Sequence, residues 1–431
     1  MIFAPTNKTV RISKASGEAP KTNILRFPYT RRLRSHLLKK KTIKEVKLGL
    51  VEHETLRRRL ETGLNVLLRG KLWTMGVGEG LLAKINVPIG ANHPDKYLTE
   101  VRKIEKLSSL AWGPDIIQDL SLARFEVPLY RRAIDMFGGP VGTLPTYLSF
   151  DPAKGTIEPS LLLETIEEQA ECGVAFMSLH AAVNREIYGL AKRTRAVPIT
   201  SRGGGIVVRD MLAKKEDEGI VSRYFSEILK ILKKHNVALS LGCSFRSASV
   251  REWLDSVQQK ELLLQEKYIL AARKAGVKVM LEAGGSHAPL DKLVEFGELI
   301  KPYEIPVMPL GPVTTDSAIG ADHIAAAIGA SHLASLGAGH VFTIISPQEH
   351  TGEVPTLESI LEGVKAMLVA AHSVNISNFP RYRQMTDDVI SGKREKTCIV
   401  DGGLFEHVSK DKAQEGCTRC DSCCPLIVLD A

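Results

Sequence analysis

Four cysteines lie within eight residues near the carboxyl end, in the run CTRCDSCC (417–424), spaced Cys417-x-x-Cys420-x-x-Cys423-Cys424. Thiolates select zinc, copper(I) or iron–sulfur clusters. Tetrahedral zinc uses all four ligands, most easily as two well-separated pairs. Here the last two cysteines are adjacent, and neighbouring side chains of an extended segment point to opposite faces. Both on one small ion is awkward. Three of the four suit a 4Fe–4S cluster better, because three thiolates leave one iron open. An open iron can chelate the amino and carboxylate groups of S-adenosylmethionine. One electron from the cluster then splits the sulfonium into methionine and a 5′-deoxyadenosyl radical. Spacing alone leaves structural zinc, and a redox or accidental thiol cluster, as alternatives.

A second metal site is a weaker signal. His287 in LEAGGSHAPL and His350 in SPQEHTG each follow a strand-like run. Two imidazoles at the ends of two strands can converge on one ion, but no third ligand is defined. The other three cysteines, Cys172, Cys243 and Cys398, are scattered singly. That usage fits a reduced compartment and argues against a disulfide framework.

The composition sets the frame these residues need. The chain has 431 residues, 44% hydrophobic and 25% charged, which is ordinary for a globular protein. No apolar run reaches the roughly 18 residues of a membrane span. The net charge is +8, and YTRRLRSHLLKKKTIKEVK (29–47) holds eight Lys or Arg against one acid. A solvated basic arm explains that run, and no interleaved aromatics point to nucleic acid. The first 17 residues lack acids but show no amphipathic helix, so a cytoplasmic location is expected.

Residues 52–69 carry Leu56, Leu60, Leu64 and Leu67 at helical spacing. Short apolar runs then alternate with helical stretches for nearly 300 residues. The runs are 81–89, 115–121, 140–147, 174–180, 196–201, 237–242, 277–282, 305–311 and 340–346, and helices are expected at 160–171, 219–235, 251–275 and 318–336. Continuous apolar strands separated by helices mean parallel pairing buried on both faces. Nine candidates for eight places predict an α/β protein built on a (β/α)8 TIM-like barrel, with 140–147 or 196–201 as a loop. A doubly wound sheet is the alternative, but no Gly-rich phosphate loop follows the first strand. The expected organisation is a basic, helical amino-terminal extension (1–79), the barrel (80–355), carboxyl-terminal helices (356–395) and a cysteine-bearing tail (396–431).

Polar residues recur where the strands should end: Asn86, Asp119, Tyr147, His180, Ser201 with Arg202, Arg246 and Glu282. Any one of them is explained as a satisfied buried polar group. Seven strand ends behaving alike point to chemistry at the carboxyl face of a barrel.

Taken in order, KINVPIG (84–90), QDLS (118–121), VGTLPTY (141–147), EEQAECGVAFMSLHAAV (167–183), SRGG (201–204), LSLG (239–242), VMLEAGGSHAPL (279–290), LGPVTTDSAIGADHIAAAIGA (310–330) and SPQEHTGEVP (346–355) resemble the phosphomethylpyrimidine synthase (ThiC) family. That family consists of non-standard radical S-adenosylmethionine lyases with a (β/α)8 barrel and a cluster-bearing tail. The resemblance covers about residues 50–375 and the tail. It implies conversion of aminoimidazole ribotide to hydroxymethylpyrimidine phosphate for thiamine. It implies catalytic Glu282 and His180, and a substrate shell of Asn86, Tyr147, His180, Ser201, Arg202, Gly203, Arg246 and Glu282. It also implies a second divalent metal, zinc or iron, on His287 and His350, and a 4Fe–4S cluster on Cys417, Cys420 and Cys424 that binds S-adenosylmethionine. A homodimer served by an electron donor such as flavodoxin or ferredoxin is expected. Arg202 and Arg246 suit a phosphate, since guanidinium forks match phosphate oxygens.

The sequence departs from the family at several of these places. Pro88 stands where the family has Asn, Gln118 where it has Met, Cys243 where it has an acid, and Met308 where it has Tyr. One extra residue precedes His287, and Pro425 stands at the family's third cysteine, leaving Cys424 or Cys423 as that ligand. Losing a buried charged acceptor costs about 1–3 kcal/mol. The departures therefore also admit a paralogue with another product, such as 5-hydroxybenzimidazole. A non-catalytic barrel with a structural zinc tail is the reading from a different class.

Overall fold

The computed structural model describes residues 52–283 and 286–394, together with 398, 400, 403–405, 419–420 and 423–428. The basic arm at 29–47 and Cys417 lie outside the described residues. Helix α1 (His53–Glu61) opens the described chain. The leucine spacing predicts helix to residue 69, but Val66–Arg69 is strand β1, paired antiparallel with β2 (Thr74–Val77). Gly63 accounts for the difference. Its φ of +77° is left-handed, a conformation that ends helices and that glycine adopts without a Cβ clash. Beyond it burial alternates, with Val66 and Leu68 inside, which is the period of a strand.

Strands and helices then alternate as expected. β3 (Lys84–Ile89), α2 (Tyr97–Ser109), β4 (Ile116–Asp119), α3 (Leu129–Phe137), β5 (Val141–Thr143) and the short α4 (Pro145–Ser149) come first. A small hairpin of β6 (Phe150–Asp151) and β7 (Thr156–Ile157) leads to α5 (Pro159–Glu171), β8 (Phe176–Leu179), α6 (Arg185–Thr194), α7 (Arg202–Ala213), α8 (Phe225–His235) and β9 (Ala238–Leu241). α9 (Ser256–Ala275), β10 (Val279–Leu281), α10 (Leu290–Ile300), α11 (Asp322–Ser335), β11 (Val341–Thr343) and the long α12 (Leu357–Asn378) complete the main body.

Seven strands form one parallel sheet in the order β10-β9-β8-β5-β4-β3-β11. Two of the nine candidate runs are not strands. Residues 196–201 form a loop. The run at 305–311 makes only single bridges, Val307 to Leu281 of β10 and Leu310 to Thr343 of β11. Pro306 and Pro309 interrupt this run, and a proline has no N–H to give to a ladder. One segment thus touches both edges of the sheet, so the sheet is curled.

Every residue of β4, β8 and β9 is buried, as strands covered on both faces must be. The β1–β2 hairpin supplies Val66, Leu68, Met75 and Val77 to a cluster with Ile116, Phe176, Ala238 and Val341, the first residues of four sheet strands. The amino-terminal end of the sheet is therefore sealed by apolar contact, and the carboxyl end is left for polar groups. Beyond α12, helices α13 (Pro380–Met385) and α14 (Asp387–Lys393) continue the chain, and Tyr382 packs with Leu82 just ahead of β3. The ring of Phe405 meets Trp112 edge-on at 5.3 Å.

Candidate active site

A cavity of about 420 Å³ opens at the carboxyl ends of the sheet strands, and Tyr147, His180, Ser201, Arg202, Arg246 and Glu282 line it together. They reach it from different elements. Tyr147 sits on α4, directly after β5, and His180 follows the last residue of β8. Arg246 comes from the loop after β9, and Glu282 follows the last residue of β10. Ser201 and Arg202 do not follow a strand, contrary to expectation, because 196–201 is the loop that starts α7.

The start of α7 forms one end of the cavity. Ser201 caps the helix, its Oγ accepting from the Gly204 N–H at 3.1 Å. The same Oγ lies 2.9 Å from His180 Nε2. The Arg202 guanidinium stands 5.7 Å above the Tyr147 ring. Helix amino-termini carry free N–H groups and partial positive charge, so this end favours an anion. Gly203 is fixed by packing, since a Cβ there would come within 2.2 Å of His180 Cε1. Burial, with Arg246 nearby, pushes the His180 pKa down to about 3, so the imidazole is neutral at pH 7.

A belt of polar side chains crosses the inner face of the sheet. Asn86 Nδ2 lies 3.1 Å from Thr343 Oγ1 and donates to Gln118 Oε1 at 2.8 Å. Gln118 Nε2 donates to Ser178 Oγ at 2.9 Å. Ser178 Oγ donates in turn to Glu282 Oε1, which also accepts from Ser240 Oγ at 3.0 Å. Asn86 sits mid-strand in β3 and does not line the cavity, although Gln118, Thr343 and Met308 around it do. Burial raises the pKa of Glu282, while the two serines and Arg246 oppose that rise.

Several buried polar atoms here have no partner among the described residues: Asn86 Oδ1, His180 Nδ1, Arg246 Nε, Thr146 Oγ1 and Ser244 Oγ. Native interiors pair such atoms, and His180 and Arg246, with Ser346 Oγ and Gln348 Oε1 likewise unpaired among the described residues, line the cavity itself, which marks it as built for a polar ligand.

Sequence reasoning missed three groups of residues in or behind the wall. The first is the pair of serines, each the lone hydroxyl in an apolar strand (FMSL and ALSL), which was the available signal. The second is Glu261 on α9. Its carboxylate accepts from the Ser244 and Phe245 N–H groups at 2.5 and 2.9 Å and from Cys243 Sγ at 3.3 Å. An acid thus stands behind Cys243, fifteen or more residues further along the chain, and burial raises the pKa of both. The third is the buried pair Glu100 and Lys103 on α2. Lys103 Nζ reaches Glu100 at 2.5 Å and donates to Pro355 O at 2.8 Å, tying α2 to the loop that carries His350.

His287 and His350 come together, and the extra residue before His287 does not part them. Their Nε2 atoms are 3.2 Å apart. Each Nδ1 is held by a carboxylate, His287 by Asp316 at 2.6 Å and His350 by Asp322 at 2.7 Å. Nδ1–H donation to an acid leaves Nε2 as a lone pair. Two facing lone pairs repel unless a cation or proton lies between them, so the donor set fits zinc or ferrous iron. Glu167, Glu171 and His235 form another group of ligand types, on α5 and α8 outside the cavity lining, where Lys234 already pairs with Glu167. Of the tail cysteines, Cys420 and Cys423 are exposed and Cys424 is half-buried, and the Cys423 N–H closes a turn onto Cys420 O at 3.1 Å.

A cavity lined by guanidinium groups and a buried carboxylate, at the carboxyl end of a curled parallel sheet, defines an α/β enzyme acting on a small molecule. The chain belongs to the radical SAM ThiC family, whose description matches residues 33–430. It is 35% identical over 413 residues to the phosphomethylpyrimidine synthase of Ignicoccus hospitalis, covering 88% of this chain and 91% of that one. It is 32% identical to the enzyme of that name from Pyrobaculum aerophilum, covering 87% and 91%. A dihydropteroate synthase structure from Yersinia pestis overlaps with a TM-score of 0.40 at 12% identity, covering 72% of this chain and 99% of that one. Membership implies a 4Fe–4S cluster and S-adenosylmethionine. Among the described residues no helix is long and apolar enough to cross a membrane.

Proposed function

We propose that this enzyme rearranges aminoimidazole ribotide, or a closely related phosphorylated ribotide, to hydroxymethylpyrimidine phosphate. The observation that carries the reading is one cavity lined together by Ser201 and Arg202 at the start of α7, by Arg246 and by Glu282. Arg202 and Ser201, at the positive end of α7, bind the phosphate. Neutral His180 and Arg246 orient the sugar, and Tyr147 closes over it. Glu282 holds or moves a proton at Oε2, since its Oε1 is occupied by the two serines.

When bound, the cluster on Cys417, Cys420 and Cys424 and its S-adenosylmethionine supply the 5′-deoxyadenosyl radical. His287 and His350 hold the second metal. The segment at 305–311, which bridges both edge strands, supports a closed (β/α)8 barrel, and the limits proposed for its flanking regions are residues 79, 355 and 395. A cytoplasmic homodimer fed by flavodoxin or ferredoxin completes the reading. Gln118 and Cys243 in the cavity wall favour, as the second reading, a different product from a similar ribotide.

The test is anaerobic incubation with S-adenosylmethionine, a reductant and aminoimidazole ribotide, read by mass spectrometry. Formation of 5′-deoxyadenosine with hydroxymethylpyrimidine phosphate supports the first reading. 5′-Deoxyadenosine with another product supports the second. No 5′-deoxyadenosine, from protein with a full cluster, refutes both.

A further inference from the structure

The carboxylate of Glu282 sets the direction of every hydrogen bond leading to it. An ionised carboxylate only accepts. Ser178 must therefore donate to it, which leaves the Ser178 lone pairs to accept from Gln118 Nε2. With Nε2 committed, Gln118 turns its Oε1 toward Asn86, whose Nδ2 donates. Asn86 Oδ1 is then the buried atom left without a partner among the described residues. Once protonated, Glu282 can donate to Ser178 and both amides can invert, because Thr343 Oγ1 serves equally as donor or acceptor. Inversion would present the Asn86 NH2 where Oδ1 now stands.

We infer that Gln118 is a positioning residue that couples the proton on Glu282 to the direction in which its own amide, in the cavity wall, turns Oε1 and Nε2. Gln118 occupies the middle of the chain and lines the cavity itself. The other titratable groups that act on Glu282 are Arg246, Tyr147 and Cys243, and Ser240 bonds it from β9. None of them bonds to Gln118, so a change there reaches Glu282 through Ser178. The ligand arm of the test rests on the ribotide reading, and the spectroscopic arm does not.

The spectroscopic arm is a pH titration of the full chain by infrared difference spectroscopy, following the carboxylic C=O band that Glu282→Gln abolishes. Gln118→Met releases the Ser178 hydroxyl, so the carboxylate loses an oriented donor and the midpoint should rise by about one pH unit. Ser178→Ala should raise it similarly, and the double variant no further than either alone, as for two links of one chain. An unchanged midpoint in folded Gln118→Met, or in Ser178→Ala should the first not fold, overturns the inference. In the ligand arm, the Kd of aminoimidazole ribotide is measured by calorimetry across the same pH range. Gln118→Met should keep the phosphate's own titration and lose the component that Glu282→Gln removes. A parent that binds no ribotide at any pH refutes the ribotide reading, while the infrared titration still decides the coupling.

Discussion

Replacing Glu261 with alanine tests whether the acid behind Cys243 holds the loop that carries Arg246. The side chain is 1% exposed and accepts two backbone N–H groups, from Ser244 and Phe245, and one thiol. Truncation leaves both N–H groups buried without an acceptor, at about 1–3 kcal/mol each. Part of this is returned, because burial already disfavours the carboxylate's charge. A net loss of about 2–4 kcal/mol of stability is expected, read as a lower urea midpoint at unchanged slope.

Arg246 directly follows Ser244 and Phe245 in this loop, so its guanidinium loses its setting as well. A charge-assisted bond to a ligand phosphate is worth about 1.5–3 kcal/mol, which is roughly a 10- to 150-fold weaker Kd for aminoimidazole ribotide. Glu261→Gln keeps one acceptor oxygen but turns an NH2 toward a backbone donor, so it should fall between the parent and Glu261→Ala. A Glu261→Ala protein with the parent's urea midpoint and ribotide affinity would refute the reasoning.

Lys103→Met leaves Glu100 buried without its cation and should destabilise by about 3–5 kcal/mol in urea unfolding, with part restored in Glu100→Gln/Lys103→Met. Gly203→Ala forces the His180 ring away from a Cβ that would sit 2.2 Å from it, breaking the 2.9 Å contact with Ser201. About 1–3 kcal/mol of overpacking cost and weaker ribotide binding by calorimetry are expected. His287→Ala or His350→Ala should each remove about one equivalent of metal distinct from cluster iron, by plasma emission analysis. His180 has a folded pKa of about 3 against an ordinary 6.5. Its contribution is complete above pH 6.5 and is lost as pH falls toward 3, because the unfolded chain takes up the proton first. Relative to His180→Asn, the parent should therefore lose up to about 1.4 kcal/mol per pH unit in that window, measured by urea unfolding at stepped pH.

The sequence was most legible where burial dictates residue type. β4, β8 and β9 lie between helices and the sheet interior, so they read as apolar runs and were placed to within a residue or two. The errors fall where backbone chemistry outweighs periodicity. Leu64 and Leu67 fit a helix by spacing, yet the left-handed Gly63 between the two stretches ends it. The run at 305–311 is apolar enough for a strand, but Pro306 and Pro309 allow it only single bridges. At the site, Tyr147, His180, Arg246 and Glu282 were found from their positions after strands, whereas Ser201 and Arg202 line the cavity from a loop and Asn86 lies mid-strand outside it. Their partners were not, because Glu261 and Lys103 sit on helices whose inward faces no local pattern distinguishes from structural ion pairs.

That difference changes the meaning of the thiol at Cys243. From sequence it is an acid lost from the ligand wall. In the structure an acid remains, 3.3 Å behind the sulfur, with its oxygens turned to the loop backbone. The corner keeps its carboxylate, but a ligand meets a neutral thiol first, since burial and Glu261 together raise the Cys243 pKa. A sugar hydroxyl there finds a weak acceptor in sulfur in place of a charged oxygen. Across the cavity, Gln118 adds what Cys243 removes, an amide bonded on both sides within the belt. The wall has therefore moved its polar capacity from the β9 loop to the centre of the sheet. On the proposed ribotide reading, a ligand that fits it should place its hydrogen-bonding edge toward Gln118 and its phosphate at Arg202.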